Sequence, residues 1–216
     1  MNTDMIHTDH EQAISRGLKV LQSGGIIAFP TDTVYGIGSL AFHQEGIKKL
    51  YQVKDRDRKK AIPILIGEIH DLARITVSVS PIAISLMERY WPGPLTVILK
   101  KHERVPDEIS PTDTVGVRIP DHVFMQRFLT ASGPLAATSA NLSGKASAHT
   151  AAAVREQLMG RIELILDGGE TRGEQASTVV DCTTHPPRIL RTGPISDQDI
   201  HDLLQNGSQA ASGWVS

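Results

Sequence analysis

Ile26-Ile27-Ala28-Phe29-Pro30-Thr31-Asp32-Thr33-Val34-Tyr35-Gly36 decides how this chain is read. Four apolar residues without alternation mark a short strand covered on both faces, as at the centre of an α/β sheet. Pro30 closes the strand, since it has no N–H to give to a ladder. The hydroxyls and carboxylate that follow stand at a strand's end, where sheets flanked by helices hold ligands. The same stretch also fits an ordinary turn in which Thr and Asp satisfy backbone donors.

Upstream, Thr8 and Glu11 have capping-box spacing, and Ile14, Leu18 and Leu21 recur at i, i+4, i+7. A first helix is therefore expected from near Thr8 to the glycine pair Gly24-Gly25. Downstream, the patterns predict helices over about 44–53, 81–90, 121–130, 151–159 and 197–204. Strands are expected over about 62–66, 95–99, 114–119, 134–138, 163–166, 178–181 and 188–190. The polar, proline-bearing stretch 101–113 reads as a surface loop. Strands and helices mix without the strict alternation of a doubly wound sheet. The expected class is α/β, a twisted mixed sheet with flanking helices, in one domain over 8–204. Residues 205–216, rich in Gly, Ser and Ala, read as a flexible C-terminal tail.

A length of 216 residues suits one such domain, and 40% apolar residues with only 4% aromatics suits an Ile, Leu, Val and Ala core. The formal charge of −2 argues against a nucleic-acid coat over the whole surface while permitting a local basic groove. The lone Cys182 excludes an intramolecular disulfide and a cysteine zinc site, and fits a reducing cytoplasm. No apolar run approaches the roughly 20 residues of a membrane span. The first residues lack the cationic start and apolar core of a secretion signal, so a cytoplasmic protein with no membrane partner is expected. Phosphate-loop, dinucleotide, His-Glu-x-x-His and Gly-x-Ser-x-Gly motifs are all missing.

The positive signals are charges and hydroxyls at strand ends. Lys54-Asp55-Arg56-Asp57-Arg58-Lys59-Lys60 puts five cations and two anions directly before the apolar run 61–66. It is either a solvated charge run behind a helix or a set of heads converging on a polyphosphate. Arg118 ends another apolar strand, where an internal acid or a ligand anion must meet it. Thr138-Ser139-Ala140-Asn141 again follows a strand, as a capped turn or a ligand loop. Ser177 and Arg191 flank the last two strands. No credible nucleophile–base pair accompanies them, so the pattern favours electrostatic positioning of an anionic substrate over covalent catalysis.

Taken in order, Pro30-Thr31-Asp32-Thr33-Val34-Tyr35-Gly36, Lys54-x-Arg56, Ser139-x-Asn141-Leu142-Ser143-Gly144, Ser177-Thr178-Val179-Val180-Asp181 and Arg191-x-Gly193 resemble the motifs of the YrdC-like threonylcarbamoyl-AMP synthases. The resemblance spans roughly Gln12 to Gly193. One departure is Asp57, where the family commonly has proline. The resemblance implies a basic concave cavity enclosed by the sheet and its helices, in the short form of the family. It implies formation of threonylcarbamoyl-AMP and pyrophosphate from L-threonine, bicarbonate or CO2, and ATP, for N6-threonylcarbamoylation of adenosine 37 in tRNA. Lys54, Arg56, Ser139 and Asn141 would be catalytic. Lys54, Arg58, Thr114, Ser139, Ser147 and Arg191 would hold ATP, and Thr31, Arg118 and Ser177 would hold threonine. Mg2+ is expected through the ATP phosphates, without a protein metal site. A separate tRNA threonylcarbamoyl transferase complex would act downstream, with direct tRNA contact as a further implied partner. The rival reading is a non-catalytic module that binds double-stranded RNA or tRNA through the same cavity.

Overall fold

The computed structural model describes residues 2–173 and 175–211. Ten strands form one sheet among them: β1 (Asp4–His7), β2 (Ile27–Phe29), β3 (Gly36–Leu40), β4 (Ile64–Leu65), β5 (Leu95–Lys100), β6 (Thr114–Arg118), β7 (Leu135–Ser139), β8 (Leu164–Asp167), β9 (Thr178–Asp181) and β10 (Arg188–Arg191). Their order across the sheet is β1-β8-β2-β3-β7-β4-β6-β5-β9-β10. Parallel pairs (β1/β8, β2/β8, β4/β6, β5/β9) and antiparallel pairs (β2/β3, β3/β7, β4/β7, β5/β6, β9/β10) are interspersed. This is the mixed α/β sheet that the sequence leads one to expect.

The helices are α1 (Ala13–Gln22), α2 (Gln44–Val53), α3 (Pro81–Tyr90), α4 (Val123–Ser132), α5 (Ala151–Leu158) and α6 (Asp197–Ala211). Side-chain alternation sorts them onto two faces. Ala28 and Ile165 point into a large core with Ile47 and Leu50 of α2, Leu86 of α3, Val154 of α5 and Ile200 of α6. Ile27, Phe29, Leu164 and Leu166 point the other way, against Leu21 of α1 and Met125, Phe128 and Leu129 of α4. Leu65 and Ala137 lie at the margin of this second core and also border a hollow. One face is thus sealed, and the other is left partly bare over its central strands.

Several readings of the sequence are corrected, most of them by long-range pairing. The Thr8–Glu11 spacing does not start a helix: β1 pairs with β8, the Thr8 N–H goes to the Asp167 carbonyl, and α1 begins at Ala13 without a side-chain cap. β1 itself buries only Ile6, so it left no pattern in the sequence. β3 also escaped notice, because its glycines look like a turn. They are there for closeness: a Cβ at Gly38 would stand 2.6 Å from the Ala136 carbonyl oxygen of β7, and one at Gly36 would stand 2.7 Å from the Phe29 ring. The strand over 62–66 shrinks to Ile64–Leu65, as the Ile62 N–H goes to Ile109. That bond and the buried Val105 and Ile109 tie down the loop 101–113. Finally, α6 continues to Ala211, beyond the expected stop at Leu204; the remainder of the expected tail, 212–216, lies outside the described residues.

Candidate active site

The bare part of the sheet holds a hollow of about 320 Å3. Its floor is made of alternate residues on neighbouring strands: Ala137 and Ser139 of β7, Gly116 and Arg118 of β6, Thr96 and Ile98 of β5, and Val179 of β9. Period-two alternation places them all on one face. Gly116 keeps that floor low, since a Cβ there would meet the Thr96 methyl at 3.1 Å. Thr31 and Thr33 from the β2–β3 turn, Arg56, Ser177 and Arg191 make the walls.

The β2–β3 turn meets Arg118 in a directed chain. Arg118 donates from Nη2 to Asp32 Oδ1 (2.5 Å), from Nη1 to Thr33 Oγ1 (3.1 Å) and from Nε to the Gly93 carbonyl (2.9 Å). The Thr31 hydroxyl donates to the Val34 carbonyl (2.7 Å), so the 3.0 Å contact between the two threonine hydroxyls runs from Thr33 to Thr31. Thr31 Oγ1 accepts the Thr33 N–H as well (3.1 Å) and has no further hydrogen-bonding capacity. The sequence left two partners open for Arg118; the internal acid is Asp32. Burial works against the positive charge of Arg118, 6% exposed, while Asp32 supports it. One N–H on each terminal nitrogen of the guanidinium has no assigned acceptor among the described residues, and Arg118 lines the hollow.

At the opposite wall, α2 ends in paired turns that aim its cations. The Asp55 N–H reaches the Gln52 carbonyl and the Arg56 N–H the Tyr51 carbonyl, with Asp55 in the left-handed region at φ 50°. This is the Schellman pattern with Asp where Gly is usual. It turns Lys54 inward and Arg56 across the rim. Lys54 is 2% exposed and donates to the Ser139 carbonyl and to Asn141 Oδ1 (3.3 Å). Asn141 also accepts from the Ser139 hydroxyl (2.5 Å), and its amide donates to Leu142 and Lys145 carbonyls at 2.8 Å each. The Lys-x-Arg and Ser-x-Asn motifs therefore meet in space. Burial and then the neighbouring Arg56 charge push the Lys54 ammonium down to about 7. Lys54 thus lies behind the Ser139 wall and is not the exposed cation suggested by the charge run. Asp57 accepts the Lys59 N–H at 2.9 Å, which closes the loop locally.

Arg191 closes the third side. Its Nε and Nη2 clamp the Ser177 carbonyl (3.0 and 2.7 Å), and the Ser177 hydroxyl shares a 2.8 Å bond with Thr96. The guanidinium of Arg191 is pushed down by burial and by the charge of Arg56. Of the residues singled out in the sequence, Thr31, Arg56, Arg118, Ser139, Ser177 and Arg191 line the hollow, and Lys54 and Asn141 support Ser139. The remaining three neither line it nor support its wall. Arg58 borders a separate outer hollow with Tyr51, Arg104 and Glu108, so the expected convergence of Lys54, Arg56 and Arg58 is corrected. Thr114 shares the face of Gly116 and Arg118 but sits at the far end of β6, bonded to Thr112 (3.0 Å). Ser147 is half-buried in the β7–α5 loop. The sequence missed Thr33 and Thr96, hydroxyls whose roles depend on partners 85 and 81 positions away.

Residues 19–193 match the family model for Sua5, YciO and YrdC proteins, described as telomere recombination. The chain belongs to the Sua5/YciO/YrdC family. Among relatives of this Sua5/YciO/YrdC chain, a threonylcarbamoyl-AMP synthase of Pyrococcus abyssi is 40% identical over 85% of this chain and 55% of its own length. One of Bacillus subtilis is 38% identical over 94% of this chain and 59% of its own. The chain therefore spans less than two thirds of both, but 95% of a putative threonylcarbamoyl-AMP synthase of Mycobacterium tuberculosis, at 34% identity. The structure of P. abyssi Sua5 complexed with L-threonine superposes with a TM-score of 0.89 at 37% identity, over 94% of this chain and 61% of that one. Escherichia coli YciO gives 0.82 at 26% identity, over 93% of this chain and 100% of its own. No described helix is long and apolar enough to cross a membrane.

Proposed function

We propose that this chain is a threonylcarbamoyl-AMP synthase, an enzyme that transfers an adenylyl group to a carbamate made from threonine. The observation that carries the reading is the gathering of Arg56, Arg118 and Arg191 with Ser139 and Ser177 around one small hollow, on a fold shared with proteins of that name. The threonine ammonium and bicarbonate give the carbamate, one water and one proton. A carbamate oxygen then attacks the α-phosphorus of ATP, and pyrophosphate leaves as the acyl phosphate bond forms. Negative charge grows on the phosphoryl and leaving oxygens, where fixed cations lower the barrier.

The threonine carboxylate is assigned to the two free N–H groups of Arg118, with Ser177 beside it. The saturated hydroxyl of Thr31 acts there by holding Thr33 rather than by binding directly. The phosphates are assigned to Arg56, Arg191 and the Ser139 wall backed by Lys54 and Asn141. Arg58, on an exposed part of the loop, reaches them only if its side chain turns inward past the bonds that hold Arg56 and Lys60 in place. Thr114 and Ser147 remain candidates for the nucleoside end. Among the described residues no group of His, Cys, Asp and Glu is arranged to hold a metal ion. Mg2+ is assigned as an ion carried by the ATP phosphates, where it would supply charge neutralisation. The product suits a later transfer to adenosine 37 of tRNA by a separate transferase in the cytoplasm.

Incubation with ATP, Mg2+, labelled bicarbonate and each amino acid in turn tests the reading. Threonine-dependent pyrophosphate and a labelled adenylate are expected. Salt-sensitive RNA binding without turnover would support the non-catalytic module instead.

A further inference from the structure

Asp32 has no part in the assignments above, yet its position is unusual. Its Oδ1 takes Arg118 Nη2 at 2.5 Å, while Oδ2 is buried and has no hydrogen-bond partner among the described residues. The residue stands behind Arg118, outside the lining of the hollow. The segment after β8 presses on it: a Cβ at Gly173 would lie 2.7 Å from the Asp32 carbonyl oxygen and 2.6 Å from Thr33 Cα. A carboxylate with one oxygen left unsatisfied is costly to bury and is not there for stability alone. What it changes is the charge that the hollow presents. Arg118 plus Asp32 is a neutral pair with an oriented N–H fork. The Arg56 charge weighs on Arg191, and among the described residues no carboxylate lines the hollow beside them.

We infer that Asp32 is a specificity-determining residue that neutralises Arg118 from behind and so reserves that end of the hollow for a carboxylate, keeping phosphate at the other end. A neutral pair with one unassigned N–H on each terminal nitrogen suits a planar, singly charged carboxylate. A multiply charged phosphate gains more from an uncompensated cation and is drawn to Arg56 and Arg191. The inference rests on the threonine assignment made above. It concerns discrimination rather than affinity, because the Arg118 fork itself binds either anion.

Binding of L-threonine, of ATP and of inorganic phosphate as the competing probe is to be measured calorimetrically on the full chain, with wild type beside Asp32→Asn. The amide keeps an acceptor for Arg118 and removes the charge. Phosphate is expected to compete with threonine at least about tenfold better in the variant, relative to threonine's own affinity, with ATP affinity changed less than about twofold. Asp32→Glu is expected to restore the wild-type ratio. Asp32→Ser, which also removes the charge, gives the same readout should the amide variant not fold. An unchanged phosphate-to-threonine ratio, with threonine still bound, overturns the inference and leaves the synthase reading standing. Failure of the wild type to bind threonine overturns both.

Discussion

At the β2–β3 turn, Arg118 is held by an acid, a hydroxyl and a carbonyl, and it repays Asp32 by keeping that carboxylate compensated. At the α2 terminus, Arg56 and Arg191 line the hollow, with Lys54 behind Ser139 and no acid in the lining among the described residues; burial disfavours the ionised form of all three, and the Arg56 charge adds to this at Lys54 and Arg191. One end is finished by the protein; the other is left without a counter-charge among the residues of its lining. The difference teaches that a count of cations is a poor guide to an anion site. What matters is which cations the fold has already answered.

The sharpest way to break this contrast is Arg118→Ala. It strands a buried Asp32 without its cation, and a loss of about 3–5 kcal/mol in urea-unfolding stability is expected. A loss under about 1 kcal/mol would mean that the pair is not the fixed element described. Lys54→Met tests the other end through pH. The wild-type ammonium titrates at about 7 in the folded protein, against roughly 10.4 in an unfolded chain. Between those values the unfolded state binds more protons, so wild-type stability rises with pH through that window and falls as pH drops toward 7. The methionine variant should lack this rise, by a few kcal/mol, in unfolding curves at pH 7 and 10. Parallel curves would place the ammonium in contact with solvent.

Arg58→Ala separates the loop from the walls. Its expected signature is a KM for ATP raised about tenfold, with unfolding stability changed by less than about 0.5 kcal/mol. An unaltered KM would leave Arg58 to the outer hollow alone. Smallest is Asp55→Gly, which relieves a left-handed backbone at the end of α2. About 0.5 kcal/mol of added stability is expected after loss of the exposed Asp55–Arg161 pair. A loss of stability would show that this pair outweighs the backbone strain.

The sequence made the helices legible wherever one face repeated: α2 and α3 lie at their expected bounds, because each carries its own apolar stripe and α3 its Ser80 cap and Pro81 start. β1 and β3 were hidden, since an exposed edge and a glycine-bearing central strand are recognised by their neighbours and not by their own residues. The same divide runs through the site. The spacing of Lys54 and Arg56, and of Ser139 and Asn141, could be read directly. That Lys54 is roofed over by Ser139 and that Asp32 answers Arg118 both depend on partners about 85 positions apart. Linear charge said that cations were present, and only the packing says which are available.

The hollow takes its walls from nearly the whole length of the polypeptide, from Thr31 to Arg191, and β9 joins the sheet by running alongside β5. A nascent chain emerging from the ribosome therefore displays all of its early cations long before Ser177 and Arg191 arrive to close the third side. On the proposed function, substrate-binding competence is a late event of synthesis, and a fragment halted before β9 should fold its first strands yet remain catalytically silent.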